Sequence, residues 1–517
     1  MVGAHPLAPI IALARAGALE RAWELFNRAP VDASDPAAMA VLGRLLKERA
    51  REERDLGKQR ELYRQAADAY RQGAEAHPST YALINAATLF FLGGDVANSV
   101  RLARRVVALL AENPGEPETP YYGEATRSEA LLLLDRAAEA RSALCSALAA
   151  APLAWEDHAS TLRQFALILE AQERDASWLD LYRPPGSLHF GGHMSFSANG
   201  NQSLLRAEID AILSLEKIGF GYGALAAGAD IIVAEALLEH GAELHAVLPG
   251  GVEAFAAVSV DPFGPEWRRR FEAVLARAVE VRAVGPLRAP PDESSIALAD
   301  EVAMGAAVMN ARRLESRAVQ LLVVADSASK RTRDAWAEAG WPQHLLTAPR
   351  EDVSPGAAPA PSRGRRRLAL LTVAPPSGTD FDAWLAQLRL ALDAISRPTV
   401  GPYLEEGRAA FAYDTPLAAA QAAAPLRAAL PELRIGGHYS AAETFHDPFS
   451  GGERVAADSG AAAAGALAST LPGTTYVTED FAAALVASGR AAQRTEFIGE
   501  LEAPDGGPPV GLHVLKS

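Results

Sequence analysis

The first third of the chain carries hydrophobic residues at helical spacing and lacks the single-residue alternation that marks strands. Ala, Leu, Arg and Glu dominate it, and turns such as Gly93-Gly94-Asp95 interrupt it. Helices are predicted over residues 18–26, 37–51, 60–75, 81–91, 96–110, 123–134, 136–149 and 154–172. We therefore expect an all-helical domain over residues 1–185.

Small and aromatic residues alternate on two of these predicted helices. The alternating positions are Tyr63, Ala66, Ala67 and Tyr70, followed by Tyr81, Ala86 and Leu89. Such alternation is typical of tetratricopeptide-like (TPR-like) repeats, in which each helix pair buries its apolar face by stacking on the next pair. The pattern predicts an α-solenoid whose concave surface binds a protein partner. A plain helical layer packed on the next domain is the alternative.

Strand-like and helix-like patterns alternate along residues 186–350. Strands are predicted over residues 187–190, 244–248, 281–284 and 319–325, and helices over residues 204–215, 229–238, 265–279 and 295–314. This order predicts a Rossmann-like parallel sheet that helices cover on both faces. Ligands of such sheets bind at the carboxyl ends of the strands.

The segment from Ile218 to Gly251 carries the strongest functional signal. It predicts a Gly-rich loop, then a helix whose N-terminus can bind an anion, then a strand that ends in a second Gly-rich loop. The candidate ligand-binding residues in and around it are Gly191, Gly192, His193, Gly221, Tyr222, Gly223, Gly228, Asp230, Pro249, Gly250, Gly251 and Asp326. The predicted ligand is a nucleotide-type small molecule.

Some of these side chains permit a catalytic interpretation. Asp230 and Glu235 are the candidate catalytic acids of a nucleotide hydrolase or N-glycosidase, although an Asp at a helix start is equally expected as a helix cap. His193 has two possible roles. It contacts a phosphate or acts as an acid/base group, or it is a loop histidine that caps the next helix. Asp326 offers either a site carboxylate or a turn residue. No metal site is predicted, and Mg²⁺ accompanies the nucleotide only in the enzymatic alternative.

Residues 351–367 are rich in Pro, Ala and Arg, a composition that predicts a linker. Beyond it, strands are predicted over residues 368–373, 399–400, 409–413 and 433–436, and helices over residues 381–395 and 417–430. The order β-α-β-β-α-β predicts an α+β, ferredoxin-like domain over residues 368–517. The chain is thus predicted to be multidomain, with an α, an α/β and an α+β part.

Charge and cysteine content narrow the function classes. The chain has 49 Lys and Arg against 64 Asp and Glu, and its net charge of -15 disfavours general nucleic-acid binding, which needs a basic face. The single cysteine, Cys145, excludes an intramolecular disulfide and fits a reducing compartment. No apolar run reaches the length of a membrane span. We expect a cytoplasmic protein that does not contact membranes.

Four segments of the middle region match one family pattern. They are Gly191-Gly192-His193, the residues from Gly223 to Asp230, the residues from Ala234 to Leu237, and the residues from Val247 to Gly251. The region resembles the SLOG superfamily of Rossmann-like domains, and is similar to its DNA-processing protein A branch and more loosely to LOG-type nucleoside monophosphate glycosidases. The resemblance implies a nucleotide-type ligand. The glycosidases follow their Pro-Gly-Gly with Gly-Thr and a catalytic Glu, whereas Val252-Glu253 stands here, which argues against phosphoribohydrolase activity.

The helical region also has relatives of its own. It resembles the TRAFs-binding region of the apoptosis signal-regulating kinases, and residues 1–348 together resemble a bacterial family that joins helical repeats to this Rossmann-like domain. The resemblance implies a signalling or conflict-response role.

The C-terminal region carries a third pattern. Its matching residues are the strand 368–373, Glu405-Glu406-Gly407, the residues from Arg434 to His438, Asp447-Pro448, and the residues from Pro472 to Glu479. They resemble the class III adenylate/guanylate cyclase homology domain. Those cyclases need two Asp to hold two divalent ions, yet residues 370–376 contain no carboxylate and Glu406 stands where the hairpin Asp is expected. Gly465 occupies the position of the transition-state Arg.

These departures imply a catalytically inactive cyclase-like domain that forms a homodimer. The leading hypothesis is a regulatory or signalling protein that senses a nucleotide-type ligand and recruits a protein partner. The alternatives are a nucleotide-processing enzyme at the same central site and a nucleotidyl cyclase that uses Glu406.

Overall fold

The computed structural model describes residues 7–15, 19–29, 35–76, 78–113, 119–198, 201–285, 287–325, 331–352, 356–357, 365–376, 378–489, 494–501 and 509–516. They form two compact units, Met1–Pro184 and Pro185–Ser517. No helix in this described part of the chain is long and apolar enough to cross a membrane.

The first unit is helical, as predicted. Its helices are α1 (Ala8–Arg15), α2 (Leu19–Arg28), α3 (Pro36–Glu52), α4 (Leu56–Ala76), α5 (Thr80–Leu92), α6 (Val96–Glu112), α7 (Pro120–Leu133), α8 (Ala137–Ala150) and α9 (Trp155–Ala171). Asp35, Ser79, Asp95 and Thr119 begin four of them, because each side chain accepts a hydrogen bond from a backbone N–H in the first turn. The residues before the apolar runs therefore determine where these helices start.

The predicted alternation of small and aromatic residues holds the helices of this unit together. The ring of Tyr70 on α4 lies over Gly43 on α3, where an added Cβ would sit 2.6 Å from the ring. Ala66 and Ala67 are completely buried beside it. Consecutive helices from α1 to α8 pack against each other, and both α5 and α7 pack against α9. This is the stacking that a repeat array needs to bury its apolar faces.

The second unit begins with a six-stranded parallel sheet. Its strands are β1 (Gly186–Gly192), β2 (Ile218–Gly223), β3 (Glu243–Leu248), β4 (Glu280–Ala283), β5 (Ala318–Val324) and β6 (Gln343–Thr347). The helices between them are α10 (Ser203–Leu215), α11 (Ala229–Glu239), α12 (Val252–Ser259), α13 (Pro265–Leu275), α14 (Glu293–Arg313) and α15 (Arg331–Glu338). The strand order is β4-β3-β2-β1-β5-β6. From β1 the chain adds strands on one side of the sheet up to β4, and then adds β5 and β6 on the other side of β1. The predicted parallel sheet is confirmed.

One secondary-structure prediction in this sheet is wrong. The segment that we predicted as a Gly-rich loop forms the strand β2, and glycines alternate along it with Ile218, Phe220 and Tyr222. A Cβ on Gly221 would overlap the side chain of Leu237, so the glycine allows α11 to pack directly on the strand. Strands are usually recognised by alternating apolar and polar residues. In β2 glycine replaces the polar residues, so the sequence does not show the strand pattern.

An eight-stranded sheet follows in the same unit. Its strands are β7 (Arg365–Ala374), β8 (Val400–Glu405), β9 (Arg408–Tyr413), β10 (Arg434–His446), β11 (Glu453–Val455), β12 (Thr475–Thr478), β13 (Arg494–Leu501) and β14 (Val510–Lys516). Its helices are α16 (Phe381–Asp393), α17 (Pro416–Ala429), α18 (Ala457–Ser469) and α19 (Glu479–Ala487). The order is β13-β14-β12-β10-β7-β9-β8, with β11 paired to β10.

The predicted order β-α-β-β-α-β corresponds to β7 through β10. The strand β7 begins at Arg365, so the last three residues of the predicted linker belong to the sheet. Their alternating side chains explain this: Arg367 pairs with Glu301 on α14, whereas Arg366 pairs with Asp414 and Glu453. Each arginine has an acidic partner on its own face of the sheet.

The helix α14 lies between the two sheets. On one side, Asn310 donates a hydrogen bond of 3.0 Å to Ser187 of β1. On the other side, Glu301 accepts a hydrogen bond of 2.9 Å from Tyr439 of β10. The buried residues of α14 include Leu298, Val302 and Val308, as expected for a helix that packs on two sides. The two sheets of the second unit therefore share one core element.

Candidate functional site

The candidate site lies at the carboxyl edge of the first sheet. Gly191 and Gly192 end β1, Gly223 ends β2, and the turn of Pro249, Gly250 and Gly251 follows β3. Since β1, β2 and β3 are parallel neighbours, these segments reach one edge of the sheet together. Asp326 follows β5 and lies outside the described residues.

The turn at Gly228 joins two of these segments. Gly228 has a φ of 97° and begins α11. A Cβ at this position would lie 2.8 Å from the carbonyl oxygen of His193, and the N–H of Ala229 donates a hydrogen bond of 3.1 Å to the same oxygen. Only glycine fits both the backbone angle and the space. The start of α11 is thereby held against the end of β1.

His193 is engaged by the protein through both ring nitrogens. The backbone N–H of Ser195 donates to Nδ1 at 3.2 Å, so Nδ1 is an acceptor and the proton of the neutral ring lies on Nε2. Nε2 then donates to the carbonyl of Ala348 at 3.0 Å. The ring also stacks on Phe196 with centroids 4.5 Å apart. These contacts connect the end of β1 to the residue that follows β6, and none of them caps the next helix, α10.

Several glycines of the edge pack against other backbone. A Cβ on Gly192 would overlap the side chain of Ala229, and one on Gly251 would overlap the carbonyl of Leu287. Gly191 has more room, because its nearest neighbour would lie 3.7 Å away. Gly191, Gly192, Ala224, Ala226 and Gly251 stay half-buried. The edge is therefore lined by small residues, and of these three glycines only Gly191 leaves space next to the backbone.

Two predicted site residues lie away from this edge. Gly221 and Tyr222 are inside β2, and the side chain of Tyr222 is only 7% exposed. Tyr222 stacks on His245 of β3 with centroids 4.7 Å apart, and burial raises the pKa of its hydroxyl above the usual value. Its role in the structure is to pack between neighbouring strands.

Asp230 remains at the edge. Its side chain is 7% exposed, and its carboxylate accepts a hydrogen bond of 3.3 Å from the N–H of Ala226. A carboxylate in the first turn also interacts favourably with the helix dipole of α11. Asp230 thus ties the loop after β2 to the helix that follows it.

Glu235 forms a structural ion pair. Nε of Arg270 donates to one carboxylate oxygen at 2.8 Å, and a terminal nitrogen donates to the other at 2.6 Å. The same guanidinium donates to the carbonyl of Ala198 at 3.3 Å and lies 4.3 Å from the ring centre of Trp267. This bidentate pair fixes the Glu235 side chain between α11 and α13. The geometry gives no support to Glu235 as a general acid.

The described residues of the eight-stranded sheet and its helices do not form a set suited to divalent ions. Glu406 and Gly407 have φ angles of 47° and 76° and form the two-residue turn between β8 and β9. The Glu406 side chain is 77% exposed and pairs with Arg408 at 2.8 Å. Gly465 lies on α18 and offers no side chain. In the described part of the chain, no three His, Cys, Asp or Glu side chains come together as a metal site. The residues present do not fit the two-metal chemistry of class III cyclases.

A buried ionic cluster between the two sheets was missed by sequence reasoning. Arg282 of β4 pairs with Glu479 and, at 3.2 Å, with Asp480, both at the start of α19. Burial is the main cause that raises the pKa of Asp480 to about 6. The only sequence signal is an arginine on a short strand and two acids at a helix start, which are ordinary surface features. Their partnership depends on the packing of the two regions.

Comparisons with known proteins identify one family model and a set of similar solved structures. Residues 9–90 match the family described as TPR-S, Tetratricopeptide Repeats-Sensor. No curated protein matches the chain.

Several similar solved structures are nucleotidyl cyclase domains. They include a Trypanosoma brucei adenylate cyclase in its monomeric state, at 16% identity and a TM-score of 0.26, over 30% of this chain and 90% of that chain. The adenylyl cyclase CyaB from P. aeruginosa has 11% identity and a TM-score of 0.25, over 30% and 95%. The guanylate cyclase domain of RhGC from Catenaria anguillulae, in complex with GTP, has 14% identity and a TM-score of 0.25, over 29% and 97%.

Proposed function

We propose that this chain is a regulatory protein that binds a nucleotide-type ligand, without converting it, at the carboxyl edge of its Rossmann-like sheet. The observation that carries the proposal is the convergence of three turns at that edge: the end of β1, the Gly228 turn before α11, and the turn after β3. Gly191, Gly192, Ala224, Ala226 and Gly251 are half-buried there, and α11 starts at the same edge, where a helix N-terminus favours a phosphate.

The helical repeats are proposed to recruit a protein partner. The match of residues 9–90 to a tetratricopeptide sensor family supports this part of the proposal. The stacked helix pairs with their interleaved small and aromatic residues supply the extended surface that such repeats use.

The cyclase-like domain is proposed to be catalytically inactive and to form a homodimer. The exposed, paired Glu406 and the missing carboxylates of β7 support inactivity. Because α14 packs on both sheets, a ligand-dependent shift of the first sheet has a direct route to the second. Ligand binding is thus proposed to change the conformation of the dimerisation domain through a movement of α14.

Nondenaturing mass spectrometry of the full-length protein tests the proposal. The protein is incubated with a mixed nucleotide pool and Mg²⁺ or Mn²⁺, and bound species and products are read together, with Asp230→Ala for comparison. We expect one unaltered nucleotide per chain, reduced in the variant. A free base or ribose phosphate contradicts the proposal and assigns an enzyme. A cyclic nucleotide contradicts the inactivity of the C-terminal domain, and no bound nucleotide contradicts the ligand-sensing part.

A further inference from the structure

A cavity of about 680 Å³ separates α16 from the hairpin of β8 and β9. Leu388 and Leu392 of α16 line one side, and Tyr403, Leu404 and Ala409 of the hairpin line the other. Volumes of roughly 300–1,000 Å³ with mainly apolar walls are typical of small-molecule sites. The cavity therefore has the size and the wall chemistry of a binding site, on a different sheet from the candidate nucleotide site.

The position of α16 keeps this cavity open. Trp384, Leu388 and Ala391 form the buried face of the helix, and the helix packs against α17. Asp380 caps its first turn by accepting hydrogen bonds from the N–H groups of Asp382 and Ala383. These contacts hold α16 in place. The cavity between α16 and β8 can therefore stay open.

The mouth of the cavity carries an excess of positive charge. Arg389, Asp393 and Arg397 line it, and all three are exposed. Neither Arg389 nor Arg397 has a hydrogen bond or ion pair with another residue in the described part of the chain. Guanidinium groups bind carboxylates in a planar, bidentate geometry. Two uncommitted arginines against one acid favour an anionic group at the mouth.

We propose that this cavity binds a small amphipathic carboxylate, a medium-chain acyl acid, with its chain between α16 and the hairpin and its head group at Arg389 and Arg397. The apolar walls remove the chain from water, and the arginines orient the molecule. A second protein copy fits the feature less well, because a stable interface buries about 800 Å² per partner on a broad surface rather than filling a recess.

Isothermal titration of the full-length protein with dodecanoate, kept below its critical micelle concentration, tests this site. We expect one molecule bound per chain, and binding about fourfold weaker for each methylene removed from the acid. The cationic amphiphile dodecyltrimethylammonium has the same chain and is expected not to bind. Equal binding of the cationic amphiphile overturns the proposal, because the arginines would then have no role.

Variants at the mouth locate the binding. Arg389→Ala combined with Arg397→Ala is expected to weaken dodecanoate binding at least tenfold, whereas Lys516→Ala, which removes a cation paired with Glu496 in the same domain, leaves it unchanged. Leu404 is 49% exposed, so Leu404→Asp and Leu404→Lys test the charge preference without disturbing the core. We expect weaker binding for the Asp variant and unchanged or tighter binding for the Lys variant.

Two further results overturn the proposal. One is dodecanoate binding that is the same in wild type, in the double Arg variant and in Leu404→Asp. The other is a wild-type chain that binds no dodecanoate. If that chain is dimeric by analytical ultracentrifugation and Leu404→Asp dissociates the dimer, a second copy covers the cavity.

Discussion

Gly305 of α14 lies directly against the backbone of Ala483 of α19, so closely that a Cβ on Gly305 would overlap the Ala483 carbonyl oxygen. Around this contact, Met304 and Val308 of α14 pack with Val486 and Ala487 of α19. The two helices belong to different sheets, and one glycine allows them to meet. The coupling that we propose between ligand binding and the cyclase-like domain depends on this contact.

Replacing Gly305 with alanine is expected to separate the two helices. The added methyl group meets backbone that cannot move aside, so we expect the free energy of unfolding to fall by about 3 kcal/mol, the upper end for an overpacked site. Urea denaturation of the variant and of wild type measures this difference in the free energy of unfolding.

Gly465→Ala is the matched control for this substitution. Gly465 is also a helical glycine, and its added Cβ would lie 4.0 Å from the nearest side chain. We expect a gain of about 1 kcal/mol, the usual preference for alanine in a helix. Equal effects of the two substitutions would show that the α14–α19 contact is not close.

Asp480 gives the second unit a specific pH dependence. Burial raises the pKa of Asp480 from 3.8 to about 6. The folded state therefore holds a proton that the unfolded chain has released, and this group's contribution to stability is lost as the pH rises from about 4 to about 6. Asp480→Asn removes the effect. Urea denaturation at pH 4 and pH 7 gives the free energy of unfolding of both proteins. We expect the value for the variant minus that for wild type to be about 3 kcal/mol higher at pH 7 than at pH 4.

Two histidines, the half-buried His438 and the buried His513, change the stability in the opposite direction. Burial lowers the pKa of both His438 and His513 to about 4, so their contribution is present above about pH 6.5 and is lost as the pH falls towards 4. For this reason the test of Asp480 uses the difference between variant and wild type. Asp382→Asn, at an exposed position of α16, serves as control. A difference that does not change with pH would contradict the raised pKa of Asp480.

The pair of Glu235 and Arg270 is expected to be structural. A double-mutant cycle of Glu235→Gln and Arg270→Gln, measured by urea denaturation, should give a coupling energy of about 1–3 kcal/mol. Nucleotide binding by Glu235→Gln should stay within about twofold of wild type. A variant of normal stability that has lost a nucleotide-processing activity would instead assign Glu235 a catalytic role.

Local patterns predicted much of the fold. Helical spacing and polar capping residues identified the helical region, since both signals act within a few residues. The strand β2 was missed because alternating glycines remove its polar positions. The additional helix α12 and the strand β6 are too short to give a clear period.

The candidate site was predictable only in part. The glycines at the ends of β1, β2 and β3 were identified because parallel strands bring such turns to one edge. The partners of His193 and Glu235 are Ala348 and Arg270, far away in the chain, so no local pattern could show that these side chains are already engaged. The same holds for Arg282 and Asp480, whose contact depends on how two regions pack.

Nucleotide affinity in chains altered at the two ends of α11 tests the central claim most directly. Gly228→Ala and Gly241→Ala both place a side chain at a positive φ, 97° and 81°, but only the first meets the His193 carbonyl at the proposed site. Equilibrium dialysis of the full-length proteins against the nucleotide that wild type retains gives the affinities. We predict at least a tenfold loss for Gly228→Ala and less than a twofold change for Gly241→Ala. Equal affinity in all three proteins would contradict ligand binding at this edge.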